Sequence, residues 1–489
     1  MLSFKWEPDK IVKVVLLLLS LFGILYLALY LKYSATVIAS PYQYDYGEGF
    51  HWYIADQLSQ GHNVYHSLQN PPYVTMVYTP LYYLVTALGI KIVGSALWIG
   101  RLLSVLCTLG TCLFAYKIVK LKTTRTVPAL LAGVLPLTVG FYGYWSTLFR
   151  VDALALFLSV AGLYTVVRSL GSWKVQLSIP LFLLAIFTKQ SYVAAPVAVA
   201  VYLFVKDRPR SLWFVGLLGL GGALLVGLCT LVFGSSFVEQ TFLVGSQPHT
   251  LKLGANLLRI VLYSIPVVLM FSVTWVLLKI KHREWDLFAI YFTLALAMCL
   301  VLIFKQGAWL NYAQELVVIS SILVGLLLGH LLNKGSLTFK KQFIFVGILL
   351  ILPLSPMGSW YNYEPPTGVQ TSYEVLRPIL ENVDDPVICE DATLAMEAGR
   401  TLVWEPSVFV LGGYYKASWN QSPFVESLAS KSYSVIVLNY DVTTWWLPQD
   451  PLPYPKPYER LTKEMATAIV DNYYLAWNSS SYWLYLPDR

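Results

Sequence analysis

Charged side chains in this sequence gather at the two ends of its apolar segments, the pattern of a chain threaded through a membrane. Up to residue 356, apolar runs of helical length alternate with short polar turns. One set of turns carries clustered bases: Lys117, Lys120, Lys122 and Arg125; Lys206, Arg208 and Arg210; Lys279, Lys281 and Arg283; Lys334, Lys340 and Lys341. The opposite set carries Asp45, Glu48, Arg150, Asp152, Lys189, Lys305 and Glu315, drawn from distant segments. Ionisable groups beside hydrocarbon are costly and usually functional. Their convergence predicts a reaction site at one membrane surface.

Composition narrows the class further. The 489 residues are 57% hydrophobic, 15% aromatic and only 12% charged, as in polytopic membrane proteins. The net charge of +7 reflects basic cytoplasmic turns rather than nucleic-acid binding. Cys107, Cys112, Cys229 and Cys299 lie in apolar runs, and only Cys389 lies outside them, so no disulfide framework can form. There is no phosphate-binding loop, GxGxxG or Ser-His-Asp signature.

The positive-inside rule yields about eleven crossings. The first, 11–31, follows Lys5, Lys10 and Lys13, which hold the N-terminus in the cytoplasm. It is long enough to span and lacks a small-residue cleavage site, so it reads as a retained helix. In the first outer loop, 32–97, the apolar stretch 81–93 is short for a crossing. If it crossed, the cluster from Lys117 to Arg125 would be stranded outside. It is therefore a juxtamembrane helix, and the next crossing is 98–119. The others are 127–144, 153–167, 177–187, 191–205, 212–233, 257–278, 287–304, 316–332 and 343–354. Residues 1–356 thus form an all-α polytopic domain. The odd count places 357–489 outside. There SVIVLNY (434–440) and SYWLYLP (481–487) read as strands, and EDATLAMEAG (390–399) reads as a short helix, giving a small α/β domain.

The first outer loop opens with YQYDYGEGFHWYIADQLSQG. A carboxylate just outside a membrane exit can act as general base toward an acceptor hydroxyl or amine. Asp45 and Glu48 are the candidates, and each alone could equally cap a helix. Asp152 follows Arg150 by two residues, as part of a site or as a pair that fixes helix ends. Lys189, in the turn Thr188-Lys189-Gln190, can hold a phosphate or snorkel to headgroups. Lys305, Asn311, Tyr312 and Glu315 flank a later crossing in the same layer. His51, His62, His66 and His249 have no tetrahedral metal spacing and read as loop histidines.

The order of these segments carries a family resemblance. The acid cluster is followed by IADQLSQGHNVY, NPPYVTMVYTPLYYLVTALGIKIVG, RLLSVL from Arg101, FRVDALALFL, FTKQSYVAAP and NYAQE. Together they resemble the lipid-linked-sugar glycosyltransferases of the GT-C fold. The likeness is strongest to the branch of the protein O-mannosyltransferases and the lipid A aminoarabinose transferase. In that branch an Asp-Glu pair opens the first outer loop. Here the pair aligns with Gly47 and Glu48, so the family Asp is missing and Asp45 lies two residues earlier. Glu48 is slightly favoured as base, with Asp45 the alternative.

The resemblance implies an integral plasma-membrane glycosyltransferase. A polyprenyl-phosphate sugar is the donor, and a glycolipid, polysaccharide or protein is the acceptor. Glu48, Asp45 and Asp152 would be catalytic. Lys189, Arg150, Gln190, Lys305, Asn311, Tyr312 and Glu315 would bind the donor. The expected reaction inverts the anomeric centre and uses no cofactor or metal, since cations can neutralise the leaving phosphate. Membrane lipids are the other expected partners. A flippase of lipid-linked sugars is the alternative, but such transporters place polar groups at the midplane of repeated halves. A non-catalytic scaffold would leave the first-loop acids unexplained.

Overall fold

The structure, a computed structural model, describes residues 8–244, 249, 251–305, 307–334, 363–405, 419–443 and 461–488. α1 (Pro8–Ala39) leads into α2 (Glu48–Ser59), α3 (Leu81–Val93) and α4 (Trp98–Thr123). Next come α5 (Thr126–Val134), α6 (Gly140–Trp145), α7 (Asp152–Ser169), α8 (Ile179–Ile186), α9 (Ala194–Lys206) and α10 (Arg208–Phe233). The short α11 (Ser236–Val238) precedes α12 (Leu251–Ser264), α13 (Pro266–Lys281), α14 (Leu287–Leu302) and α15 (Gln314–Lys334).

α1, α4, α7, α10 and the segment Leu310–Leu332 are long and apolar enough to cross a membrane. α12 and α13 form a further candidate, bent by 83°. This differs from eleven straight crossings. Pro136 opens a 3-10 turn, Leu135–Thr138, that splits the run 127–144. Pro266 starts α13 and breaks the run 257–278. α9 has 13 residues, roughly 20 Å of helix against ~30 Å of hydrocarbon. The run 343–354 and the boundary at 356/357 lie outside the described residues. The stretch 81–93 is α3, as expected.

The chain between α7 and α9 still traverses the molecule. Asp152 starts α7, and Lys189 returns to bond it at 2.5 Å. Residues 170–188 must therefore retrace the whole length of α7. α15 is central, with Val317, Ile319 and Leu323 fully buried, whereas Leu231 of the peripheral α10 is 85% exposed. Apolar exposure on that scale fits a helix solvated by lipid.

The C-terminal residues build a four-stranded sheet. β1 (Ile388–Cys389) pairs in parallel with β2 (Ile436–Leu438), which is antiparallel to β4 (Trp483–Pro487). β3 (Tyr473–Asn478) closes the edge against β4. The expected helix is Ala392–Glu397, capped by Asp391 on Leu394 N and followed by Gly399 at φ 68°. This helix seats on α2. A Cβ on Gly49 would lie 2.2 Å from Thr393 N and 2.5 Å from Ala392 C, both backbone atoms. Gly49→Ala should therefore push the C-terminal unit off α2 and cost about 1–3 kcal/mol. A lowered thermal unfolding midpoint in detergent checks this, and an unchanged midpoint refutes it.

Candidate active site

Two ion-pair layers meet where the N-terminal ends of α2, α4 and α7 converge. Glu48, at the start of α2, is fully buried. Its Oε1 accepts from Arg101 Nε at 2.8 Å and Phe149 N at 2.9 Å, and its Oε2 from Arg101 Nη2 and Tyr44 N, both at 2.8 Å. Arg101, also fully buried, spends its remaining donors on the carbonyls of Val37, Ser40 and Tyr42. Burial pushes the Glu48 carboxyl up, but Arg101 and these hydrogen bonds outweigh it and hold it below the ordinary range. A carboxylate so enclosed is a poor proton acceptor.

Asp45 is different. Its Oδ2 meets Arg150 Nη1 at 2.7 Å and Gly47 N at 3.0 Å, with the side chain 18% exposed. Its Oδ1 takes no hydrogen bond from a described residue. Burial pushes its carboxyl above the ordinary range against the pull of Arg150. Gly47 lies against this pair. A Cβ there would lie 2.0 Å from Arg150 Nη1 and 3.1 Å from Asp45 Oδ2. The Arg150 guanidinium thus occupies the space that a side chain at 47 would fill, with the Asp45 carboxylate beside it.

The second layer is closed. Asp152, at the N-terminus of α7, accepts on Oδ1 from Lys189 Nζ at 2.5 Å and Asn311 Nδ2 at 3.1 Å. Its buried Oδ2 has no partner among the described residues. Lys189 Nζ lies 4.2 Å from the centre of the Tyr312 ring. Burial opposes the charge of Lys189, but Asp152 pushes its ammonium up to about 12. Glu315 accepts from Tyr291 OH at 2.8 Å. Lys189, Tyr192, Asn311, Tyr312 and Glu315 line a cleft of about 10 Å³, room for no more than a water.

Two of the expected donor-binding residues take part in structural contacts. Gln190 spends its amide on the carbonyls of Val77 and Thr241, tying two segments together. Lys305 forms an isolated backbone bridge with His249. His51 is no loop histidine: it is buried on α2, with Nδ1 2.7 Å from Tyr83 OH. Burial, then the charges of Arg150 and Lys189, keep it neutral. Sequence reasoning missed the role of Arg101, although an arginine inside an apolar run was a usable signal. It also missed Gln314, buried with both amide atoms unpartnered among the described residues. Among the described residues no three His, Cys, Asp or Glu side chains gather as a metal site.

Residues 77–234 match the family of dolichyl-phosphate-mannose-protein mannosyltransferases. The crystal structure of ArnT from Cupriavidus metallidurans bound to undecaprenyl phosphate superposes with a TM-score of 0.60 at 12% identity, covering 94% of this chain and 97% of ArnT. The apo form of that protein matches equally, with a TM-score of 0.60 at 13% identity and the same coverage. The apo oligosaccharyltransferase of Archaeoglobus fulgidus gives 0.53 at 12% identity, covering 81% of this chain and 64% of the other. No curated protein matches by sequence. The chain has the GT-C fold, and it resembles the O-mannosyltransferase and aminoarabinose transferase branch.

Removing Arg101 leaves a buried carboxylate unpaired. Arg101→Met should therefore cost about 3–5 kcal/mol. Asp45→Asn, in a partly exposed pair, should cost no more than about 1 kcal/mol. Thermal unfolding of the two variants side by side checks the contrast, and equal losses would refute it.

Proposed function

We propose that the protein is an inverting glycosyltransferase that moves a sugar from a polyprenyl phosphate to an acceptor hydroxyl or amine. The reading places the acid-bearing face and the C-terminal domain outside the cytoplasm. With the short helices other than α3 counted, the described residues supply ten passes, and the run 343–354 would be the eleventh. The observation that carries it is the partly exposed Asp45–Arg150 pair.

The acceptor atom attacks the anomeric carbon and its proton passes to Asp45. The bond from that carbon to the phosphate oxygen breaks, and the lipid phosphate leaves with the electron pair. Arg150 is the better cation for that phosphate. Its Nε is buried without a partner among the described residues and its pair with Asp45 is partly exposed, whereas the Lys189–Asp152 pair is buried. A phosphate on Arg150 also draws the guanidinium from Asp45, whose carboxyl then accepts a proton more readily. Asp152, with Asn311, holds Lys189 and keeps Oδ2 for a substrate hydroxyl. Glu48 and Gln190 are positioning residues. The fold of ArnT, whose structure holds undecaprenyl phosphate, supports a lipid-phosphate donor.

The first test is mass spectrometry of lipids that co-purify in mild detergent, followed by a transfer assay with the lipid-linked sugar it identifies. Asp45→Asn should lower turnover by about 10²–10⁴-fold while keeping donor binding. Full turnover in that variant removes Asp45 as base. Retained lipid movement without transfer would favour the flippase. The active form of Asp45 is the charged one, and its proton affinity is raised. Turnover should thus fall with decreasing pH along a limb above the ordinary aspartate value of about 4. Arg150→Gln removes the charge that opposes the rise, so it should move that limb further up. A limb that stays put excludes this assignment.

A further inference from the structure

The molecule has a second cavity, far from the acids. It measures about 310 Å³, and its lining includes Lys122, Lys279, His330, Asp286, Trp275 and Tyr202. α4 and α15 fix its position. Arg101 and Glu315 stand near their N-terminal ends, and Lys122 and His330 near their C-terminal ends. At 1.5 Å per residue these separations are roughly 32 Å and 23 Å, so the cavity opens at the opposite membrane face. Leu121, Leu277 and Ile280, neighbours of the lining on α4 and α13, are 50, 59 and 66% exposed. Acyl chains would lie against them.

The polar lining carries both signs. Lys122 is exposed and forms no ion pair with a described residue. Lys279 Nζ meets Glu284 Oε2 at 2.6 Å and lies 4.8 Å from the centre of the Trp275 ring. Asp286 caps α14. Its Oδ1 accepts from Ala289 N at 2.9 Å and Trp275 Nε1 at 3.0 Å, and its Oδ2 receives no donor from a described residue. Two lysines against Asp286 and Glu284 leave little net charge, so a lone anion gains little and still meets Asp286. A ligand with a phosphate at one end and an ammonium at the other satisfies both halves. The ammonium can donate to Asp286 Oδ2 and rest against Trp275.

We propose that this cavity binds the phosphoethanolamine headgroup of a membrane lipid, with the phosphate on Lys122 and Lys279 and the ammonium on Asp286. The test uses the full chain, delipidated in detergent and offered equal amounts of phosphatidylethanolamine, phosphatidylglycerol and phosphatidylcholine. Native mass spectrometry reads what is kept. Phosphatidylethanolamine should be retained several-fold over the other two. Phosphatidylglycerol lacks the ammonium, and the quaternary ammonium of phosphatidylcholine cannot donate a hydrogen bond to Asp286. Asp286→Asn, which keeps a cap for α14, should abolish the preference. Lys122→Gln changes an exposed residue that folding does not need, and should lower phosphatidylethanolamine retention several-fold. Transfer at the other face should be unchanged in both. Equal retention of the three lipids by the unaltered protein, or retention unaffected by Lys122→Gln, overturns the proposal. So does displacement of the lipid by millimolar inorganic phosphate, which would assign the cavity to a free anion.

Discussion

The acid-bearing face depends on Glu48 and Arg101 being buried together. Either charge alone in that interior would be ruinous. Together they satisfy each other and five backbone groups. Arg101 reaches the carbonyls of Val37, Ser40 and Tyr42, and Glu48 takes the amides of Tyr44 and Phe149. One pair thereby ties the end of α1, the loop after it, α2, α4 and the approach to α7. The alignment of Asp45 with Arg150 follows, because residues 44–48 and 149–150 are both anchored to it.

Asp45 and Glu48 stand three residues apart and take opposite parts because their surroundings differ. Glu48 has each oxygen filled by two donors and is held charged. Asp45 has one oxygen engaged and one open, with its proton affinity raised. Residue type alone does not set these two carboxylates apart. The count of donors around each oxygen does.

Much of this was legible in the sequence where one force dominated. The apolar stretch 81–93 reads as a helix, and α3 spans those residues. Alternation predicted the strands at 434–440 and 481–487, where β2 and β4 lie. The gathering of Asp152, Lys189, Asn311 and Tyr312 was visible because each interrupts an apolar run at the same depth. What stayed hidden was decided by three-dimensional contact. Nothing local in the sequence says that Gly47 must lack a side chain so that Arg150 can pass. Nor does it say that Gln190 will spend its amide on Val77 and Thr241. The break of 257–278 at Pro266 was readable from the proline, but hydropathy outweighed it.

The two faces share one electrostatic logic. α4, α7 and α15 all begin near the acids, and each N-terminus carries about half a positive charge. That field favours a phosphate beside Arg150 even though Lys189 is neutralised by Asp152. At their other ends the helices present negative ends, and Lys120, Lys122 and Arg168 occupy the last turns of α4 and α7. Bases that fix topology therefore also stabilise the helices that carry the site. One of these bases, Lys122, also lines the cavity at that face. Helix stability and the proposed orientation thus draw on one set of lysines and arginines, which fits the sorting of charges along the chain.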